Sequence, residues 1–192
     1  MKNPISVAVL VSGKGSNAKN LIHYFSTISN VNVSLVLAAK PNEELELFCK
    51  QAQVTFAVIT PWEETKALTK LQEGAIDLIV LAGFLRKIGP ELLAAFPDKI
   101  INLHPSLLPK FGGQGMYGKN VHRKVVECRE QQTGITIHLV NEAYDEGEIL
   151  AQFSCWVVAD DTPESVETKV RALELQYFPQ VIFDYCKALP NI

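Results

Sequence analysis

Cysteine is scarce in this 192-residue chain, and the four present (Cys49, Cys128, Cys155 and Cys186) stand far apart. Without a CxxC pair they give no redox or zinc module and read as separate buried or half-buried side chains. Long hydrophobic runs are missing too. The longest, Leu78–Leu85, has eight residues, against the roughly 20 that a membrane-spanning helix needs. Neither sign of charge dominates: 18 Lys and Arg against 21 Asp and Glu leave a net charge of -3. Such a balance argues against nucleic acid as a partner, which would call for a concentrated basic face. The histidines show no zinc-ligand spacing, so no metal is expected. Linker tracts, charge blocks and fixed-period repeats are absent, which implies one domain over 1–192. The N-terminal apolar run leads into a glycine turn without a small-residue cleavage site. It reads as a first strand and not a signal peptide, so the expected location is the cytoplasm.

What is present is a 47% hydrophobic content, enough for a substantial core, in alternating patterns. Short β-branched runs at 5–11, 33–38, 54–59, 76–82 and 99–103 read as strands. Helical patterns fall between them: after Asn17 as a cap, over Glu43–Gln51, from Thr60 (cap) and Pro61 (first turn) to about Gln72, and over Pro90–Phe96. The run His104–Gly118 holds two prolines and four of the eleven glycines, which predicts a long shaped loop. A helix at 119–130, a strand at 134–140, an acidic turn at 141–147 and an extended segment at 148–157 follow. A closing helix should run from Pro163 to about Ala188, with Pro179 as a kink point. Strand–helix alternation implies βαβ units, and the short 141–147 connection turns the later strands antiparallel. The expected fold is α/β: a single-domain, Rossmann-like three-layer structure with a mostly parallel, partly mixed central sheet.

Two segments carry chemistry. Ser12-Gly-Lys-Gly-Ser-Asn17 lies between the first strand and first helix, where converging backbone N–H groups and the helix dipole favour a phosphate. It lacks the ending of a nucleotide-triphosphate loop, and Ala18 stands where a dinucleotide fingerprint has its third glycine. A phosphate monoester fits better, with a tight capped turn as the plain alternative. The second segment, Asn102-Leu-His-Pro-Ser-Leu-Leu-Pro109, begins at the carboxyl end of a strand, where open α/β sheets place their chemistry. Asn102 and His104 share a side of the strand. They pair an amide donor for an oxyanion with a group that moves protons near neutral pH, and Asp145 is placed to orient or charge that histidine. Ser106 has no G-x-S-x-G surroundings and is a poor nucleophile candidate. His138 either faces the cleft or is a polar-face strand residue. His122 reads as a helix-surface or loop-packing residue and His23 as solvent-facing.

Taken together, Ser12–Asn17, Leu81-Ala-Gly-Phe-Leu-Arg86, Ile101–Pro109, Thr133–His138 and Asp145-Glu-Gly147 occur in the order found in the phosphoribosylglycinamide formyltransferases, which the chain resembles over nearly its whole length. The resemblance implies formyl transfer from 10-formyltetrahydrofolate, as co-substrate, to the amine of glycinamide ribonucleotide in purine biosynthesis. It implies Asn102, His104 and Asp145 as the catalytic trio, with a protonated His104 kept charged by Asp145. It places Gly15, Ser16, Asn17, Ala18, Lys19 and Glu174 at the ribonucleotide. Leu85, Arg86, Lys87 and Ile88 fall in the segment whose backbone holds the pterin, with Asn102 and His138 beside the folate, and 141–147 is the loop closing over it. On this division the N-terminal half binds the ribonucleotide, and the C-terminal half binds folate and catalyses. Ala38-Ala39-Lys40 replaces the usual Ser-Asn-basic triplet, and Lys66 stands near an expected arginine. The alternatives are a formyltetrahydrofolate hydrolase, an amino-sugar formyltransferase and a catalytically idle folate- or phosphate-binding protein. Small molecules are the expected partners, with no membrane and no nucleic acid; a homodimer is compatible with the sequence.

Overall fold

A computed structural model describes residues 4–189. Seven strands form one sheet: β1 (Ile5–Val11), β2 (Val31–Ala38), β3 (Thr55–Val58), β4 (Leu78–Leu81), β5 (Ile100–His104), β6 (Gln132–Leu139) and β7 (Ile149–Trp156). Their spatial order is β3-β2-β1-β4-β5-β6-β7. The first five run parallel, and β6 and β7 add antiparallel beyond β5. The helices are α1 (Ser16–Phe25), α2 (Glu43–Gln51), α3 (Glu64–Glu73), α4 (Pro90–Ala95), α5 (Lys119–Glu127) and α6 (Pro163–Ala188).

The pleat sorts the core into two halves. Val7, Val9 and Val11 of β1 pack with Leu21 of α1, Leu45 of α2, Val125 of α5 and Phe178 of α6. The intervening Ala8 and Leu10 face the other side, against Ala67 and Leu71 of α3 and Leu92 of α4. Helices therefore cover both faces, and β1, buried on both, reads as a continuous apolar run. Phe178 is 0% exposed. Phe178→Ala should cost about 3–5 kcal/mol, read as a lower urea midpoint at unchanged slope.

Three local expectations need correction. Asn17 is not a cap. Gly15 holds the N-cap of α1 with a left-handed φ of 74° and no side-chain bond. A side chain at Gly15 would also run into Leu45, so glycine is required there. Nor do Thr60 and Pro61 open α3. The helix begins at Glu64 with Glu63 as its N-cap, because the Glu64 carboxylate accepts the Leu92 N–H at 2.9 Å and ties the helix start to α4. Cys128 is exposed, while Cys49 and Cys186 are buried as expected. Burial pushes the Cys49 thiol up to about 11 and the Cys186 thiol up to about 12, which makes both unreactive. The closing helix continues through Pro179 without a break.

Chain order reverses across the sheet between β1 and β4: β1 leads outward to β2, and β4 returns on its other side. A crevice opens at the carboxyl ends of strands around such a switch point. Among the described residues, no helix is long and apolar enough to cross a membrane.

Candidate active site

A cleft of about 580 Å³ opens there, within the range of small-molecule sites. Its walls come from the loops after β1, β4 and β5, the 113–119 stretch, the 141–145 loop and one face of α6.

At its centre lie the three residues expected to catalyse. Antiparallel pairing sets Asn102 opposite His138 and His104 opposite Thr136. His138 Nδ1 is 2.8 Å from the Leu139 carbonyl. A carbonyl only accepts, so Nδ1 carries the proton and the bare Nε2 accepts from Asn102 Nδ2 at 3.0 Å. His138 therefore faces the site, and holds the Asn102 amide with its nitrogen inward. The second Asn102 N–H meets Asp145 Oδ1 only at 3.4 Å, a long contact that leaves it available to another acceptor.

His104 is 4% exposed. Its Nε2 donates to the Phe111 carbonyl at 2.7 Å, which leaves Nδ1 facing Asp145 Oδ2 at 3.5 Å. Burial pushes the imidazole pKa below its usual 6.5, and it outweighs the opposing influence of Asp145 and the Phe111 carbonyl. Burial would raise the Asp145 pKa, but the adjoining His138 and His104 rings and the Gly113 N–H together bring it below its usual value. That N–H donates to Asp145 Oδ2 at 2.9 Å. Asp145 is thus ionised, held by groups on two sides in a left-handed conformation of φ 57°, which aspartate tolerates better than most residues. With nothing bound, the Asp145 charge that was expected to keep His104 protonated only partly offsets burial, and the neutral imidazole is favoured. The 3.5 Å spacing agrees, since a charge-assisted bond closes to about 2.7–2.9 Å.

At the other end of the cleft, Gly13, Lys14, Gly15, Ser16 and Asn17 line the wall. Ala18 and Lys19, expected at the ribonucleotide, do not. The helix turn carries Ala18 into the core at 0% exposure. Lys19 turns toward α2, where Nζ meets Glu44 Oε1 at 2.5 Å and lies 5.5 Å from the Phe48 ring centroid. Glu174 does reach the cleft, and its Oε2 accepts from Asn17 Nδ2 at 2.8 Å. Burial pushes its carboxyl up. Sequence reasoning missed Glu167 and Arg171, which line the same wall. The signal was their spacing of four and three residues up to Glu174, which puts all three on one helix face.

Leu85, Arg86, Lys87 and Ile88 all border the cleft. The Leu85 N–H is already given to Ser12 Oγ at 2.9 Å, so that donor is not free for a ligand. Lys87 Nζ lies 5.3 Å from the Tyr144 ring centroid and links the segment to the 141–147 loop. Lys66 instead pairs with Glu63 at 2.9 Å. Ser106 is buried and donates to the Lys110 carbonyl at 2.6 Å, a structural bond that removes it as a nucleophile. His122 is buried at 4% exposure, which excludes the helix-surface alternative and leaves the packing one, whereas His23 is exposed as expected. Among the described residues, no group of three or more His, Cys, Asp or Glu is placed to hold a metal.

This arrangement supplies an amide N–H and a proton-carrying imidazole at one point, backed by a carboxylate. The loop after β1 and the start of α1 border the same cleft, where unpaired backbone N–H groups of a helix start favour an anion. The arrangement suits attack on a carbonyl carbon by a phosphate-bearing nucleophile.

Comparison with known proteins agrees. The family model described as formyl transferase matches residues 5–182. The phosphoribosylglycinamide formyltransferase of Haemophilus influenzae is 34% identical, over 92% of this chain and 84% of that protein. The chloroplastic phosphoribosylglycinamide formyltransferase of Arabidopsis thaliana is 37% identical over 94% of this chain, which spans 65% of that protein's length. The crystal structure of phosphoribosylglycinamide formyltransferase from Bacillus halodurans superposes with a TM-score of 0.88 at 31% identity, covering 97% of this chain and 98% of that one. Its counterpart from Anaplasma phagocytophilum gives 0.88 at 30% identity, covering 97% and 89%. On the matched family model, these relatives and the shared fold, the chain belongs to the formyl transferase family, among the phosphoribosylglycinamide formyltransferases.

Proposed function

We propose that the chain transfers the formyl group of 10-formyltetrahydrofolate to the amine of glycinamide ribonucleotide, a step of purine biosynthesis. The observation that carries this reading is the presence, in one cleft, of the Asn102–His104–Asp145 cluster and the helix-start cradle at Gly15–Asn17. The cradle takes the ribonucleotide phosphate. The folate approaches along Arg86–Ile88 and the 141–147 loop, which brings its N10-formyl carbon to His104.

The amine attacks the formyl carbon, and the carbonyl electron pair moves onto oxygen. The loosely held Asn102 N–H donates to that oxyanion. Neutral His104 takes the amine proton on Nδ1, the only ring nitrogen not committed to Phe111. Asp145 stabilises the imidazolium as it forms. The imidazolium then returns the proton to N10 as the C–N10 bond breaks, leaving formylated ribonucleotide and tetrahydrofolate. The amine is itself a competent nucleophile once both substrates are held, so no covalent enzyme intermediate is needed.

Mixing the protein with 10-formyltetrahydrofolate, with and without glycinamide ribonucleotide, tests this reading through folate release. Release only with the ribonucleotide is expected. Release without it supports a hydrolase, and no release in either case supports an amino-sugar enzyme or an idle binder. Glu174→Ala should chiefly raise the KM for the ribonucleotide, by about tenfold for one lost charged hydrogen bond. A change confined to the KM for folate would contradict the placement of Glu174.

A further inference from the structure

Three buried polar side-chain atoms among the described residues have no hydrogen-bond partner: Asn17 Oδ1, His122 Nδ1 and Thr133 Oγ1. Two of these side chains, Asn17 and His122, line the cleft. An unpaired buried polar group destabilises a fold, and native proteins keep few of them without a functional cause. His122 stands on the inner face of α5 with Val121 and Val125, both fully buried. An aliphatic side chain would serve packing there equally well.

The surroundings indicate what the imidazole is for. His122 borders the same cleft as His104, Glu167, Arg171 and Glu174, on a helix that packs against α6. Glu174 is bonded to Asn17 at 2.8 Å. His122 therefore lines the volume that an acceptor reaching from His104 to the α1 loop would occupy. Burial lowers its pKa and so favours the neutral ring, which pairs with a hydroxyl or amide better than with a phosphate.

We infer that His122 is a further binding residue for the acceptor substrate, its imidazole hydrogen-bonding a neutral hydroxyl or amide between the phosphate and the reacting amine. This inference rests on the proposed function, and wild-type protein that formylates no glycinamide ribonucleotide would overturn both together. With wild-type turnover established, His122→Phe should raise the KM for the ribonucleotide about tenfold, the loss of one hydrogen bond. The KM for folate and kcat should stay within about twofold. Tm should not fall, because the phenyl ring fills the site without an orphaned atom; His122→Leu is the second apolar variant if the larger ring is not accommodated. His122→Gln, which keeps a neutral hydrogen-bonding group, should recover most of the affinity. An unchanged KM for the ribonucleotide in the apolar variants would overturn the inference while leaving the transferase reading intact. So would a lowered Tm in every variant without a selective KM effect.

Discussion

His104→Ala should reduce kcat for formyl transfer by about 10³–10⁴-fold while folate binding stays within a few-fold. Two functions disappear together. Proton transfer by a positioned side chain is worth about 10²–10⁴, and the imidazolium formed in the reaction also helps to stabilise the oxyanion, at about 10²–10³ for one donor. Residues acting as one unit are far from additive, so the combined loss stays below the product. Folate affinity should survive because Arg86–Ile88 and the 141–147 loop remain. Alanine also frees the Phe111 carbonyl, so Tm should be measured alongside to separate local loosening from lost chemistry. Near-normal turnover would contradict the assigned role.

Asp145→Asn should lower kcat by about 10²–10³-fold, because the imidazolium then forms without its counter-ion. It should also move the pH profile in a defined direction. Neutral His104 is the active form in the free enzyme, so kcat/KM falls as pH drops through the His104 pKa. Burial has already brought that pKa below 6.5, so the acid limb of the wild type lies below pH 6.5. The Asp145 charge opposes the burial effect. Removing it lowers the His104 pKa again and shifts the limb to more acidic pH; a shift toward neutral pH would contradict the geometry. Stability follows the same sign. With the folded pKa below the unfolded one, the contribution of His104 is complete above about pH 6.5 and is lost as pH falls from there through the folded value.

The elements were largely legible in the sequence because their signals are local. Five β-branched runs separated by helical patterns give parallel βαβ units, and the short acidic turn after Val140 gives an antiparallel finish. Asn102 and His104 could be paired from strand parity alone. The centrality of β1 and the switch point beside β4 depend on which strands pair, and no local pattern encodes that. The Ser12–Asn17 segment was legible as a loop, but Ala18 and Lys19 were placed by resemblance, and the helix turn takes both away from the cleft. Asp145 reaches His104 only because a left-handed backbone and the Gly113 N–H hold it there. The neutral state of His104 comes from burial, a tertiary property, and so does the inward position of His122. The Glu167–Arg171–Glu174 face was visible as spacing, yet it became meaningful only once α6 was seen to border the cleft.

The most direct measurement is a single-turnover reaction of the protein with 10-formyltetrahydrofolate labelled with ¹³C in the formyl group, followed by mass spectrometry. In the presence of glycinamide ribonucleotide, the label should appear on the ribonucleotide amine in step with tetrahydrofolate release, and His104→Ala should abolish both. Label appearing as free formate at the same rate with or without the ribonucleotide would contradict the account.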